Sequence, residues 1–256
     1  MKKVLLGIFA LSCISMAVET NVYLRAGGDI SGEFDVLKAG VSGVLDVSVN
    51  ESIDVNDKDA DGFGWEIAVE ATREIYPNLE FGFGVAFQDH DRPENGVSYS
   101  EHDIGVANPD LGNINLSAYA TGYNSIPLYL TMKYNFDAIN NFRPYVKANL
   151  GYSFNDLDDE YALIDAGLSF SESNTALGAN AVAGAKLDID NGLYYGIGVG
   201  VEYNDFIVDL MYQVNKAEGS ATILEMNNGG QYINAKVNGD FDYSRFTLSF
   251  GYKFNI

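Results

Sequence analysis

The chain has little cysteine, few basic residues and no long apolar run beyond its first residues, and each scarcity excludes a class of protein. One cysteine, Cys13, rules out a small secreted domain held together by disulfides. Fifteen lysines and arginines stand against 36 acidic residues, and a net charge of −21 argues against binding nucleic acid or an anionic membrane surface. No window after residue 17 approaches eighteen apolar residues, so no transmembrane helix is predicted.

The first seventeen residues have the pattern of a secretory signal peptide. Two lysines precede an apolar run from Val4 to Leu11, and Ser15-Met16-Ala17 resembles a small-x-small cleavage site. A lipid attached at Cys13 is the competing interpretation, although Ala10 stands where a leucine is expected. We therefore predict a signal peptide over residues 1–17 and one domain over residues 18–256.

Strict alternation of apolar and polar residues is the main feature that is present, and it is clearest at the C-terminus. A period of two predicts a β-strand with one apolar and one polar face. No later segment covers the apolar face, which suggests that lipid does. The apolar row of this strand is Phe246, Leu248, Phe250, Tyr252, Phe254 and Ile256.

Seven further alternating segments precede the terminal strand, which gives eight strands in all. Their connections alternate between short and long, and both chain ends fall on the short side. An even number of strands of about ten residues with this asymmetry is typical of an outer-membrane barrel. Making Ala181–Ile189 a further strand gives a ten-stranded alternative. The seven segments are Thr20–Asp29, Gly62–Thr72, Asn78–Gln88, Ile126–Phe136, Arg143–Phe154, Gly192–Tyr203 and Phe206–Val214.

Two features indicate that the apolar row faces outward rather than inward, as it would in a soluble barrel. The polar row is rich in glycine, for example Gly82, Gly84 and Gly198, which suits a narrow lumen. The apolar row places aromatic residues near strand ends, as interfacial girdles require. These aromatic residues are Phe63, Phe87, Tyr134, Tyr152, Phe154, Tyr195, Tyr203, Phe206 and Phe254.

Three segments resemble the OmpA/OmpX/OmpW-type family of small outer-membrane β-barrels. They are Phe142–Phe154, Ile126-Pro127-Leu128 ahead of Tyr134, and the ending Phe250–Phe254. The resemblance implies an eight-stranded, integral outer-membrane protein surrounded by outer-membrane lipid. It also implies recognition of the C-terminal strand by the barrel-assembly machinery. No peptidoglycan-binding domain is expected after the barrel, so a role in tethering the cell wall is not implied.

With the polar rows inward, the predicted lumen holds nearly equal numbers of basic and acidic side chains. Unpaired charges in so narrow a space are costly, so a compensated network that seals the barrel is expected. A narrow passive channel for ions or small solutes, gated by rearranging pairs, is the alternative. The predicted lumen charges are Arg25, Lys133, Arg143, Lys147, Arg245 and Lys253 with Glu66, Glu70, Glu80, Glu202 and Asp209.

The four long connections carry most of the negative charge, with 26 acids against six bases. A solvated acidic surface is the simpler interpretation, and an extracellular partner bound at the loops is the functional one. Asp57, Asp59 and Asp61 followed by Gly62 copy the first half of a calcium loop, but Ala68 stands where its glutamate belongs. Ca²⁺ at these aspartates is a weak hypothesis, and no other cofactor is predicted.

A lipid-modifying enzyme is the remaining alternative. Such a site usually needs a histidine, and the two histidines, His90 and His102, lie in the second long connection near Ser98 and Ser100. A catalytic set wants rigid support, which a polar loop does not give. The sequence therefore predicts an all-β, non-enzymatic outer-membrane barrel with a structural, adhesion or surface-interaction role.

Overall fold

The computed structural model describes residues 20–36, 40–42, 63–90, 97–102, 113–118, 122–158, 161–172, 175–223, 227–228, 231–232 and 236–256. Every regular element in this part of the chain is a β-strand. No helix in it is long and apolar enough to cross a membrane.

Sixteen strands follow one another along the described residues. Ten of them are at least ten residues long. Eight of these ten form the barrel, and the remaining strands, including the long β9 and β10, lie in the long connections. The strands are β1 (Asn21–Val36), β2 (Gly40–Ser42), β3 (Trp65–Tyr76), β4 (Leu79–His90), β5 (Val97–His102), β6 (Asn113–Ala118), β7 (Tyr123–Asn135), β8 (Phe142–Leu157), β9 (Tyr161–Glu172), β10 (Thr175–Ile189), β11 (Gly192–Tyr203), β12 (Phe206–Asn215), β13 (Glu218–Ile223), β14 (Asn227–Asn228), β15 (Gln231–Tyr232) and β16 (Lys236–Asn255).

The barrel is a closed ring of eight antiparallel strands in the order β1-β3-β4-β7-β8-β11-β12-β16. The ring closes because β16 pairs with β12 on one side and with β1 on the other, from Asn21 opposite Asn255 to Val36 opposite Phe241. Among these eight strands, those that follow one another along the chain are also neighbours in the ring, which is an up-and-down topology. The prediction of an eight-stranded antiparallel barrel is confirmed.

Asparagine makes all three short turns of the barrel possible. Asn78, Asn140, Asn141 and Asn204 have positive φ, between 49° and 69°. Asparagine adopts this left-handed conformation more readily than other residues with a side chain, which lets a strand reverse within a few residues. These turns and both ends of the barrel chain share one rim, called here the short-turn rim. The opposite edge is the long-connection rim.

The ten-stranded alternative is wrong, because β10 continues a wall strand instead of adding one. Strand β10 pairs with β9 and β13, and it leads into β11 through only Asp190 and Asn191. Strands β12 and β13 keep one register along β16, from Phe206 opposite Tyr252 to Thr222 opposite Lys236. Strands β13, β10, β9, β6 and β5 therefore extend the wall past the long-connection rim as a sheet joined to β16.

The apolar row of each wall strand faces outward, and the polar row faces the lumen. Outward residues are exposed, such as Phe250 at 60% and Ile197 at 64%, whereas Thr247 and Ser249 on the opposite face of β16 are buried. Lumen-facing side chains are buried against one another, because eight strands leave an interior that side chains can just fill. The predicted assignment, with the apolar row on the outer face and the polar row in the lumen, is therefore confirmed.

Glycines in the polar row make room for tyrosine rings that cross the lumen from neighbouring strands. Gly84 lies opposite Tyr129, and Gly200 lies opposite Tyr145. A Cβ atom built on either glycine would overlap with ring atoms of that tyrosine. The missing side chain is thus what makes room for the tyrosine ring.

Candidate functional site

The charged side chains of the lumen form three layers, called here the lower, middle and upper tiers, with the lower tier nearest the short-turn rim. The lower tier consists of Glu80, Lys133, Glu202 and Lys253. Lys133 Nζ lies 3.0 Å from Glu202 Oε2 and 3.7 Å from Glu80 Oε1, and Lys253 pairs with Glu202. Two bases and two acids leave this tier electrically neutral.

Tyr23 and Tyr145 separate the lower tier from the middle one. The Tyr23 hydroxyl accepts a hydrogen bond from Lys133 Nζ and donates one to Glu80, both at 2.9 Å. Lys133 Nζ also lies 4.6 Å from the centre of the Tyr23 ring and 4.4 Å from that of Tyr145. Such cation–π contacts favour a buried ammonium group, because the ring face carries partial negative charge.

The middle tier consists of Arg25, Glu70, Lys147 and Asp209. Arg25 lies 2.9 Å from the Glu70 carboxylate and 3.4 Å from Asp209, and Lys147 pairs with Glu70. Tyr129 donates to Glu70 at 2.8 Å. Each of the four charged side chains is at most 3% exposed, so this tier crosses the lumen as a neutral, buried layer.

The upper tier consists of Asp29, Glu66 and Arg245. Arg245 bridges the two carboxylates, at 3.2 Å from Asp29 and 2.9 Å from Glu66. Gln213 accepts from the same guanidinium, with 2.9 Å to Nε and 2.7 Å to the terminal nitrogen. Two acids and one base give this tier a formal charge of −1.

A neutral polar cluster, called here the rim layer, lies in the lumen at the long-connection rim. It consists of His90, Ser125, Asn155 and Asn215. His90 Nε2 lies 2.9 Å from Ser125 Oγ and 2.7 Å from Asn215 Nδ2, and Ser125 donates to Asn155 at 2.8 Å. The imidazole is fully buried and contacts the rings of Tyr123 and Tyr243, each with its centre 4.6 Å away and tilted by 51°.

All of the predicted lumen charges except Arg143 lie in the three tiers. Arg143 has the inward parity of β8 and lies opposite Glu202, but it is the second residue of its strand and is exposed at the short-turn rim. Glu202 binds Lys133 and Lys253 instead. Parity alone therefore assigned Arg143 to the lumen, whereas the strand end carries it out of the interior.

Sequence reasoning missed Asp29 and the whole rim layer. Asp29 has the parity of Tyr23 and Arg25, so extending the alternation of β1 by two residues finds it. His90 and Ser125 were assigned to a long connection, but they lie on β4 and β7. The alternation of β4 continues without a break from Glu80 to His90, so extending it in the sequence places His90 on the lumen-facing row.

The rim layer places a serine beside a histidine on rigid strands, which bears on the enzyme hypothesis, but the hydrogen bonds around them do not form a catalytic arrangement. Ser125 is a strand-borne serine beside a histidine, which the sequence did not reveal. Its hydroxyl, however, donates to Asn155 Oδ1, and Asn215 Nδ2 points at His90 Nε2. A general base needs a free ring nitrogen that faces the serine proton. Ser98, Ser100 and His102 lie on β5. His102 is the last residue of β5, whereas His90 is the last residue of β4, so the two histidines lie on different strands.

The proposed calcium ligands Asp57, Asp59 and Asp61 lie outside the described residues. Within the part of the chain that the structure describes, no group of three or more His, Cys, Asp or Glu side chains is placed to hold a metal ion. Three exposed carboxylates, those of Asp190, Glu218 and Asp240, border a cavity of about 570 Å³ at the long-connection rim, beside Tyr152 and Leu193.

Comparison with known proteins identifies the family. The model of the outer membrane protein beta-barrel domain matches residues 6–254. The chain belongs to this outer-membrane β-barrel family. The outward apolar rows of the barrel therefore face outer-membrane lipid, and the protein is an integral outer-membrane protein.

Three proteins are similar to this chain along most of its length. The uncharacterized protein PM1543 of Pasteurella multocida (strain Pm70) is 27% identical over 263 residues, covering 99% of this chain and 98% of that protein. The outer membrane protein OprG from Pseudomonas aeruginosa is 16% identical, with 92% and 96% of the chains covered and a TM-score of 0.43. Ail of Yersinia pestis is 12% identical, with 93% and 100% covered and a TM-score of 0.33. The two structures are too distant to carry a functional argument.

Proposed function

We propose that this protein is a sealed, non-enzymatic outer-membrane barrel that presents its long connections as an interaction surface at the cell exterior. The observation that carries the proposal is the interior: three charged tiers and a rim layer fill the lumen in succession. A solute that crosses the barrel has to displace ion pairs at each charged tier and hydrogen bonds at the rim layer.

The energetics of buried charge favour a sealed lumen. A buried ion pair is held by its mutual attraction, and moving one partner away leaves the other charge uncompensated, at a cost of about 3–5 kcal/mol. Passage through the middle tier would separate Arg25 from Glu70 and Lys147 from the same carboxylate. Both separations at once are far above thermal energy, so spontaneous opening is rare.

The rim layer supports a non-enzymatic role. His90 is fully buried and packs against the rings of Tyr123 and Tyr243, so a substrate reaches its ring only after surrounding side chains move. Catalysis by a serine hydroxyl also needs a proton acceptor and a site for the reacting carbonyl next to it. Here the space around Ser125 is occupied by Asn155 and Asn215.

The extension and its charge support the interaction role. Strands β5, β6, β9, β10 and β13 carry the wall beyond the membrane, where a partner has access to it. The long connections are strongly acidic, so a partner with basic groups is favoured. The remaining partners are outer-membrane lipid around the wall and the barrel-assembly machinery at β16, and Ca²⁺ at Asp57, Asp59 and Asp61 stays a hypothesis.

Conductance across a planar lipid bilayer tests the sealed lumen. We expect no steps from the refolded wild-type barrel, and steps from a variant in which all four charges of the middle tier are replaced by serine. That variant removes two acids and two bases, so the lumen keeps its net charge. The matched control replaces the exposed pair Glu74 and Arg143 by serine and stays silent. Reproducible wild-type steps would refute the proposal.

A narrow passive channel is the second candidate, and one observation favours it. Several buried polar atoms of the interior have no hydrogen-bond partner among the described residues, including Arg25 Nη2, Asp209 Oδ1, Thr131 Oγ1 and Asn149 Oδ1. Buried polar atoms without a protein partner are commonly satisfied by water. A hydrated file of such sites would pass ions slowly, and wild-type conductance in the same bilayer experiment would favour this function.

A further inference from the structure

We propose that His90 is a pH-operated switch at the long-connection rim. The neutral ring is hydrogen-bonded to Asn215, which leads to Gln88 and Glu66 in the lumen. The protonated ring is hydrogen-bonded to Ser125, which leads to Asn155 and the main chain at the long-connection rim. The switch rests on the directions of the hydrogen bonds around the ring, which are fixed from both ends of a continuous chain.

Glu66 fixes the directions on the lumen side. Its carboxylate only accepts, so Gln88 donates to it through Nε2 at 2.6 Å and turns Oε1 toward Asn215. Asn215 Nδ2 donates to that oxygen at 2.8 Å, and the same nitrogen lies 2.7 Å from His90 Nε2. An amide nitrogen cannot accept, so Nε2 of the neutral imidazole accepts and its proton sits on Nδ1.

A main-chain carbonyl fixes the directions on the rim side. Asp190 O accepts from Asn155 Nδ2 at 3.0 Å, which leaves Asn155 Oδ1 to accept from Ser125 at 2.8 Å and from Ser153 at 2.9 Å. The Ser125 hydroxyl thus uses its hydrogen to donate a hydrogen bond to Asn155. It turns a lone pair toward His90 Nε2, 2.9 Å away.

Protonation of the ring exchanges these two contacts. A proton on Nε2 supplies the missing donor toward Ser125, and the chain then runs from His90 through Ser125 and Asn155 to the carbonyl of Asp190. In the protonated state, His90 Nε2 and Asn215 Nδ2 are both donors and face each other 2.7 Å apart. Because neither can accept a hydrogen bond, Asn215 has to move away. The link between the rim layer and the upper tier is broken.

Opposing influences act on a proton taken up by the ring, and the excess of acid in the upper tier is one that favours it. The rings of Tyr123 on β7 and Tyr243 on β16 contact the imidazole at a tilt of 51°, with their centres 4.6 Å away, and a cation gains from aromatic rings at this distance. Burial of the ring and the like charge of Arg245 oppose the proton. The upper tier nevertheless has one acid more than it has bases, so a proton on His90 balances it. The charged groups on the surrounding elements are Asp29 on β1, Glu66 on β3, Arg245 on β16, and the outward pair Lys216 and Asp242 beyond β12 and on β16.

Nuclear magnetic resonance of the refolded barrel with labelled histidine tests the switch. The chain has only two histidines, so His90 and His102 give two resolvable ring signals. Between about pH 8 and about pH 4, we expect His90 to titrate and the Asn215 side-chain amide signals to shift with the same midpoint. His102 is the internal control, and its midpoint stays constant in all variants.

Two variants of the His90 contacts shift the titration in opposite directions. Asn215→Asp replaces the opposing donor by an acceptor and raises the His90 midpoint by about 1–3 pH units. Ser125→Ala removes the acceptor of the protonated ring and lowers the midpoint by about one unit. The Ser125→Ala variant removes one oxygen only and keeps the test usable if Asn215→Asp fails to fold.

Two outcomes overturn the proposal. One is a His90 ring in folded wild-type protein that does not titrate in this range. The other is a titration whose midpoint either variant leaves unchanged or shifts in the direction opposite to the expected one. Because the readout is a titration and not a current, failure of the switch is distinguishable from failure of the sealed-lumen proposal.

Discussion

Glu70 is the side chain on which the middle tier depends, and Glu70→Gln is its sharpest perturbation. The carboxylate accepts from Arg25, Lys147 and Tyr129. The amide that replaces it has nearly the same shape but no charge, so Arg25 and Lys147 are left with Asp209 as their only acid in this tier. Breaking a buried pair in this way costs about 3–5 kcal/mol, and the lower end applies because the amide oxygen still accepts one hydrogen bond.

Unfolding of the barrel in lipid vesicles by denaturant measures this loss. Trp65 is the only tryptophan, and it lies on the outward face of β3 with its ring centre 5.4 Å from that of Phe87. Its fluorescence therefore reports insertion of the wall into lipid. We expect Glu70→Gln to lower the free energy of unfolding by about 3 kcal/mol, roughly a hundredfold in the equilibrium constant.

Two further variants separate charge from shape. Glu74→Gln makes the same change at an exposed position of the same strand, and we expect an effect within about 0.5 kcal/mol. Adding Lys147→Met to Glu70→Gln removes the second uncompensated charge and restores part of the lost stability, because Arg25 and Asp209 then balance. Equal stabilities of the Glu70→Gln and Glu74→Gln variants would refute the reasoning.

Two other predictions concern the two faces of the wall. Gly84→Ala places a methyl group against the Tyr129 ring and is expected to destabilise the barrel by about 1–3 kcal/mol in the same unfolding assay. The control Gly196→Ala is milder, because the nearest atom to its Cβ is a main-chain oxygen 3.1 Å away; equal losses would contradict the packing argument. Leu130→Arg puts a charge on the lipid face and is expected to cost about 2–4 kcal/mol in vesicles. An arginine tolerated there would mean that water, not lipid, covers this row.

The barrel itself follows from the sequence because alternation is a local signal. Each of the eight wall strands shows it over about ten residues, and asparagines in left-handed conformation at Asn78 and Asn204 mark the ends of the turns. The extension beyond the rim does not follow, since β10 alternates as a wall strand does. Only its pairing with β13 rather than with a neighbouring wall strand shows that it continues β11.

The candidate site was partly predictable for the same reason. Parity places Glu66, Glu70 and Lys147 on the inward row, but it cannot tell which acid meets which base across the lumen. That choice depends on strand stagger, which brings Arg245 of the last strand to Asp29 of the first. Parity also does not show where the interior ends, and Arg143 was misplaced for that reason.

Thiol labelling at two adjacent positions of β7 tests the central claim of a sealed, inward-facing polar row most directly. Thr131 is buried in the lumen, and Met132 is 48% exposed on the outer wall. Each is replaced by cysteine in a chain whose Cys13 is changed to serine, and the folded barrel in vesicles is treated with a water-soluble and then with a lipid-soluble thiol reagent. We predict that Thr131→Cys reacts with neither reagent and that Met132→Cys reacts only with the lipid-soluble one. Rapid labelling of Thr131→Cys by the water-soluble reagent would show an open lumen and contradict the account.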